Sequence, residues 1–86
     1  MTNNNDPYEP IACGQHSRYE LAVMHRVELQ LAWRDENGGA HIGKVIPTDL
    51  KTVDGQEFLI AQDADGVIHQ IRLDKIEHSD VDEAIE

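Results

Sequence analysis

From Val27 to Arg34 the side chains alternate without a break: Val27, Leu29, Leu31 and Trp33 fall on one side, Glu28, Gln30, Ala32 and Arg34 on the other. A period of two belongs to a strand with one face on a core and the other in water, and it does not suit an amphipathic helix. The run therefore commits the chain to an antiparallel sheet, and the punctuation that follows shows how the sheet continues. Asp35-Glu36-Asn37-Gly38-Gly39 is a turn, since Asn and Gly tolerate positive φ, and Ala40 to Ile46 returns as a second strand closed by Pro47. Thr48-Asp49-Leu50 with Thr52-Val53-Asp54-Gly55 reads as one turn and loop, and Gln56 to Gln62 as a third strand. Asp63-Ala64-Asp65-Gly66 is another tight turn. Val67 to Leu73 forms a fourth strand with Val67, His69, Ile71 and Leu73 on one side, and Lys75-Ile76-Glu77 a short fifth.

Upstream of the strands the pattern changes. Ser17-Arg18-Tyr19-Glu20 has the form of a capping box, in which the serine hydroxyl and the glutamate carboxylate satisfy each other's backbone amides. A short helix is predicted from there to about Arg26, with Leu21, Met24 and His25 inward. Residues 1–15, broken by Pro7 and Pro10, form an irregular lead-in from which Tyr8 and Ile11 dock on the body. The predicted organisation is a lead-in over 1–15, a helix plus barrel over 16–78, and an acidic tail over 79–86 that is solvated. One helix before several short strands implies a mainly β chain, a small Sm-like or SH3-like β-barrel, closed or half-closed so as to remove exposed edges.

Charge narrows the function. The 86 residues carry 17 acids against 7 bases, a formal −10, and residues 74–86 alone hold six carboxylates against Lys75. Nucleic-acid binders neutralise phosphates with Lys and Arg, so this balance opposes direct nucleic-acid binding and favours a cation-rich protein partner. The single cysteine, Cys13, excludes an internal disulfide, and no apolar run approaches the length of a membrane span. A monomeric protein in the cytoplasm, away from membranes, is the expectation.

No constellation for catalysis is visible. The histidines, His16, His25, His41, His69 and His78, are scattered over different elements, and His25 and His69 read as hydrogen-bonded core residues. Cys13-x-x-His16 offers two zinc ligands where a structural site wants four. Asp63-x-Asp65-Gly66 starts like a calcium loop, but Arg72 stands where the loop's closing glutamate belongs. The expectation is a binding protein with no enzyme activity, no cofactor and no metal.

The order of segments resembles the Rho-binding antiterminator family of the Rof type. The likeness runs through Tyr8-Glu9-Pro10-Ile11-Ala12-Cys13, Glu20-Leu21-Ala22, Val27-Glu28-Leu29-Gln30-Leu31, Thr48-Asp49-Leu50, Glu57-Phe58-Leu59-Ile60 and, most distinctively, Ile71-Arg72-Leu73-Asp74-Lys75-Ile76. The resemblance implies a helix and an Sm-like barrel that bind the transcription terminator Rho at its primary RNA-binding surface and block RNA loading. It implies contacts around the helix, at Ser17, Tyr19 and Glu20, and at a loop carrying Asp54, Gln56 and Glu57. Two other readings compete with it: an Sm-like RNA-binding module, opposed by the charge, and a peptide-binding adaptor working through a sheet edge.

Overall fold

The computed structural model describes residues 7–85. Its first element, α1, spans Cys13–His25 and so begins before the expected capping box. Ala12, in extended conformation, is the N-cap and makes no side-chain cap; its carbonyl accepts the His16 amide at 3.0 Å. Ser17 consequently lies inside the helix. The helix is also rotated from the expected face. Tyr19 and Ala22 are buried, with Val23 packed beside them, whereas Leu21 and Met24 are 39% and 72% exposed and His25 is exposed. Both sets have the i, i+3, i+4 spacing of one helical face, and tertiary packing selects between them. Tyr19 supplies a large buried ring, and Ala22 lets the backbone approach the sheet closely. α1 ends at Arg26 in the left-handed region (φ 52), where the amides of Arg26 and Val27 bond back to the carbonyls of Val23 and Ala22.

Five antiparallel strands follow: β1 Leu29–Arg34, β2 Ala40–Val53, β3 Gln56–Asp63, β4 Ile68–Arg72 and β5 Ile76–Ser79, in the order β4-β3-β2-β1-β5. A 3-10 turn, Leu73–Lys75, joins β4 to β5. β1 buries Leu29, Leu31 and Trp33, as its alternation requires. β2 departs from expectation because it does not stop at Pro47. It runs on for 14 residues, and its pairing with β3 slips between Pro47 and Asp49. Pro47 is tolerated because the ladder is interrupted just beyond it, a setting in which a missing N–H costs little. The extra residue, Thr48, sends its hydroxyl to the Ile60 carbonyl at 3.2 Å. The segment expected as a turn and loop is therefore strand, and only Asp54 (φ 52) and Gly55 (φ 79) make the reversal. Two positive φ values between the paired residues Val53 and Gln56 define a tight two-residue hairpin turn.

The sheet is curled. Trp33 on β1 meets His69 on β4 with ring centroids 5.4 Å apart, although β2 and β3 lie between those strands. In a flat sheet three strand spacings would separate them by about 14 Å. Leu31, Trp33, Val45, Leu59, Ala61, Ile71 and Leu73 fill the concave side, while β4 and β5 remain the two edges of an open sheet. The chain is thus mainly β with a helix at its start, in a half-open form of the expected barrel.

The segment expected to be a solvated tail is instead part of the core. Val81–Ile85 form a short helix, α2; Val81 is fully buried, and Ala84 and Ile85 pack against the cluster. The helix is anchored by the residues before it. Asp80 accepts the Gln30 amide through its carboxylate at 2.9 Å, and Ser79 Oγ accepts the Val81 amide at 3.1 Å. Acidic side chains at 82 and 83 still face water, where they suit the positive end of a helix. Val81→Ala should lower stability by about 2 kcal/mol, the loss expected for two buried methyl groups plus a small cavity. Thermal unfolding followed by circular dichroism measures this, and an unchanged Tm would mean that α2 does not hold its place in solution.

Candidate functional site

The expected contact residues do not all meet. His16, on the first turn of α1, pairs through Nε2 with the Glu57 carboxylate, and its Nδ1 lies 3.9 Å from Glu20. One histidine thus joins α1 to the start of β3 and brings Glu20, Glu57 and Ser17 onto one surface. Glu20 and Ser17 are exposed, and Glu57 is one-third exposed. Asp54 stands exposed at the tip of the neighbouring hairpin. Gln56 turns the other way, because residues adjacent along a strand face opposite sides. It lines a separate cleft of about 410 Å³ with Phe58, Gln70, Arg34, Arg72 and Lys75.

Tyr19 corrects the expectation most clearly. It is 2% exposed, and burial drives its phenol above the ordinary value while hydrogen bonds to Ser79 and Gln15 oppose that shift. It positions α1 and cannot offer its ring to a partner. Arg18 is engaged elsewhere: its Nε meets Asp82 of α2 at 3.1 Å. The face bearing Glu20 and Glu57 therefore keeps its acidic character.

Between the second half of α1 and β2 runs a groove of about 570 Å³ lined by Ser17, Glu20, Leu21, Val23, Met24, Asp49 and Leu50. Periodicity singled out Leu21 and Met24 as apolar positions but assigned them to the core.

At the opposite end of the sheet, a feature not anticipated in the sequence joins the two turns. Asp35-x-Asn37-Gly38-x-x-His41 and Asp63-x-Asp65-Gly66-x-x-His69 share one design. Asp35 Oδ1 accepts the amides of Asn37 and Gly39, and its Oδ2 meets His41 Nε2 at 2.7 Å. Asp63 Oδ1 accepts the amides of Asp65 and Val67, and its Oδ2 meets His69 Nε2 at 2.8 Å. The two imidazoles flank Trp33, His41 stacked at 5.2 Å and His69 edge-on. His69 is thus the hydrogen-bonded, partly buried residue expected, and a Cβ at Gly39 would lie 2.9 Å from Asp35 Oδ2. The signal was present as a repeated Asp-x-[Asn/Asp]-Gly-x-x-His spacing. Among the described residues no three His, Cys, Asp or Glu side chains gather as metal ligands, and Cys13 is exposed.

The lead-in docks through a largely shielded ion pair. Arg72 Nε and NH2 donate to the two Asp74 carboxylate oxygens at 2.7 and 2.6 Å, with the side chains 10% and 6% exposed. Asp74 also accepts the Glu9 amide, Arg72 donates to the Pro7 carbonyl, and the guanidinium lies over the Tyr8 ring. Tyr8 and Ile11 therefore dock as expected.

No protein-family model matches the chain. Protein rof of Escherichia coli (strain K12) is 35% identical over 72 residues, which span 84% of this chain and 80% of that protein. Protein rof of Shigella flexneri matches to the same extent. Among solved structures, proteasome accessory factor B/C (PafBC) of Arthrobacter aurescens superposes on 87% of this chain with a TM-score of 0.65 at 18% identity. The aligned part is 12% of that chain, and the likeness is one of fold. Fold and surface define a small, half-open β domain with an acidic helix-and-hairpin face. The chain belongs to the Rof family.

Three of the carboxylates above carry a pH prediction. Hydrogen bonds from His41 and His69, with the turn amides, hold Asp35 and Asp63 below the ordinary carboxylate range. For Asp74 burial alone would raise the value, but the hydrogen bonds from Arg72 and the Glu9 amide and the nearby positive charges outweigh it and the net shift is downward. A carboxylate depressed in the folded state stabilises the fold above its unfolded value and loses that contribution as pH falls through the folded one. Stability linked to these groups should hold from neutrality to about pH 4 and decline below it. Asp74→Asn should cost about 1–2 kcal/mol at neutral pH, by removing the charge paired with a largely shielded guanidinium, and should flatten the acid limb. Urea unfolding across pH tests both; an equally steep acid limb in the variant would remove Asp74 from the account.

Proposed function

We propose that this protein inhibits Rho-dependent transcription termination by occupying the primary RNA-binding surface of Rho, so that nascent RNA cannot load. The observation that carries this reading is membership of the Rof family together with an acidic face, Glu20 with Glu57 and Asp54, on a chain of net charge −10. An RNA-binding groove must be basic, and an acidic face gains from it steered encounter and electrostatic fit that weaken with salt. Ser17, Glu20, Asp54 and Glu57 are the contacts in this reading, Gln56 faces the separate cleft and is not among them, and Tyr19 acts from beneath by fixing α1. The protein works by binding, without catalysis, cofactor or metal.

The test is displacement of a labelled cytosine-rich RNA from purified Rho, followed by fluorescence anisotropy at low and moderate salt. Displacement that weakens with salt is expected. If Rho keeps its RNA and the label binds the protein itself, the chain is an RNA-binding module and the proposal fails. Glu20→Lys, and Asp54→Lys with Glu57→Lys, should each weaken binding to Rho by roughly tenfold, because each sets like charges against the groove. Normal binding by folded variants would move the contact face elsewhere.

A further inference from the structure

Met24 and Leu21 pose a question that the acidic face does not answer. Seven large apolar side chains are exposed among the described residues, and these two lie together on α1, at 72% and 39% exposure. They are not scattered. With half-buried Val23 and Leu50 they floor the groove of about 570 Å³ between α1 and β2. The rest of its lining is Ser17, Glu20 and Asp49, and no lysine or arginine contributes to it. Glu20 has its side chain 56% exposed at the edge, and Asp49 uses one carboxylate oxygen to accept the Leu50 amide. An apolar floor under a carboxylate rim has a definite complement, an apolar side chain that projects from a basic surface. A second copy of this chain fits poorly, since it would bring a further net −10 to the same rim.

We infer that the groove between α1 and β2 is the anchor pocket of the partner interface and receives an apolar side chain flanked by lysine or arginine on the partner. The inference deepens the reading proposed above and rests on it for the partner's identity, since Ser17 and Glu20 belong to both surfaces. It divides the interface into two parts with different physics. The carboxylates govern encounter and salt dependence, while the groove supplies contact that survives when salt screens the charges.

The experiment compares Leu21→Ser with Met24→Ser, combined in one chain, against Glu20→Lys. Both apolar positions are exposed, so the double variant should keep its circular dichroism and its Tm. Direct binding to Rho is measured by isothermal titration at low and high salt. The double variant should bind roughly thirtyfold more weakly at both salts, with the salt slope unchanged, as loss of an interface anchor predicts. Glu20→Lys should instead alter the slope. If the double variant binds within about twofold of the parent while Glu20→Lys weakens binding, the anchor is wrong and the occlusion reading stands.

If the parent does not bind Rho, that reading fails, and a second measurement judges the groove. A synthetic amphipathic peptide of leucines and lysines is titrated into the full-length protein while methyl resonances are followed. Shifts confined to Leu21, Val23, Met24 and Leu50 are expected, and their absence overturns the inference. Concentration-dependent dimers in sedimentation, abolished by the double variant, would also overturn it by making the occupant a second copy.

Discussion

β2 is long enough to serve both halves of the sheet, and that length creates a conflict only an interruption can resolve. Side chains along a strand alternate strictly, so a 14-residue strand that buries Val45 and Pro47 would next bury Asp49. The slip at Thr48 changes the parity, leaves Asp49 exposed and turns Leu50 inward opposite Leu59. Everything downstream relies on this. β3 then presents Leu59 and Ala61 to the core, β4 presents His69 and Ile71, and the bend carries β4 far enough around for His69 to reach Trp33. The same correction places Asp49 and Leu50 side by side on the groove beneath α1, one as rim and the other as floor.

The parts of the fold legible in the sequence were those written locally. The alternation of β1, the glycine turns after Asp35 and Asp63, and the existence of β3 and β4 depend on neighbours a few residues away. What escaped depended on distant partners. The two possible inward faces of α1 have the same spacing, and nothing within the helix says that Tyr19 and Ala22 rather than Leu21 and Met24 meet the sheet. Pro47 is a stop signal in an ordinary ladder and is tolerated only beside a bulge. The acidic segment after Ser79 reads as solvated because its charges outnumber its apolar residues; one buried valine, with Asp80 and Ser79 holding the backbone, is enough to dock it.

The candidate site shows the same division. Glu20 and Glu57 were named from resemblance, but the histidine that joins them was dismissed as one of a scattered set, because no local spacing connects His16 to β3. Tyr19 came from the same resemblance, and its burial rests on partners distant in sequence such as Ser79, which no local spacing announces. The most distinctive stretch of the resemblance, Ile71 to Ile76, is structural: Ile71 and Leu73 are core, and Arg72 with Asp74 fastens the lead-in across the 3-10 turn. A motif can mark a family because its architecture requires it, while the surface that meets a partner varies more freely.

The two aspartate-latched turns look interchangeable, yet they differ in the freedom left to their sequences. At the residue two before each histidine the first turn has Gly39, where any side chain would press on the Asp35 carboxylate, and the second has Val67, half exposed and accommodated. A side chain at Gly39 would have to displace the Asp35 carboxylate from its latch, whereas the second turn already carries a branched side chain at the corresponding point. Two copies of one local solution have come to occupy different mutational neighbourhoods, so a substitution tolerated in one turn is no guide to its fate in the other.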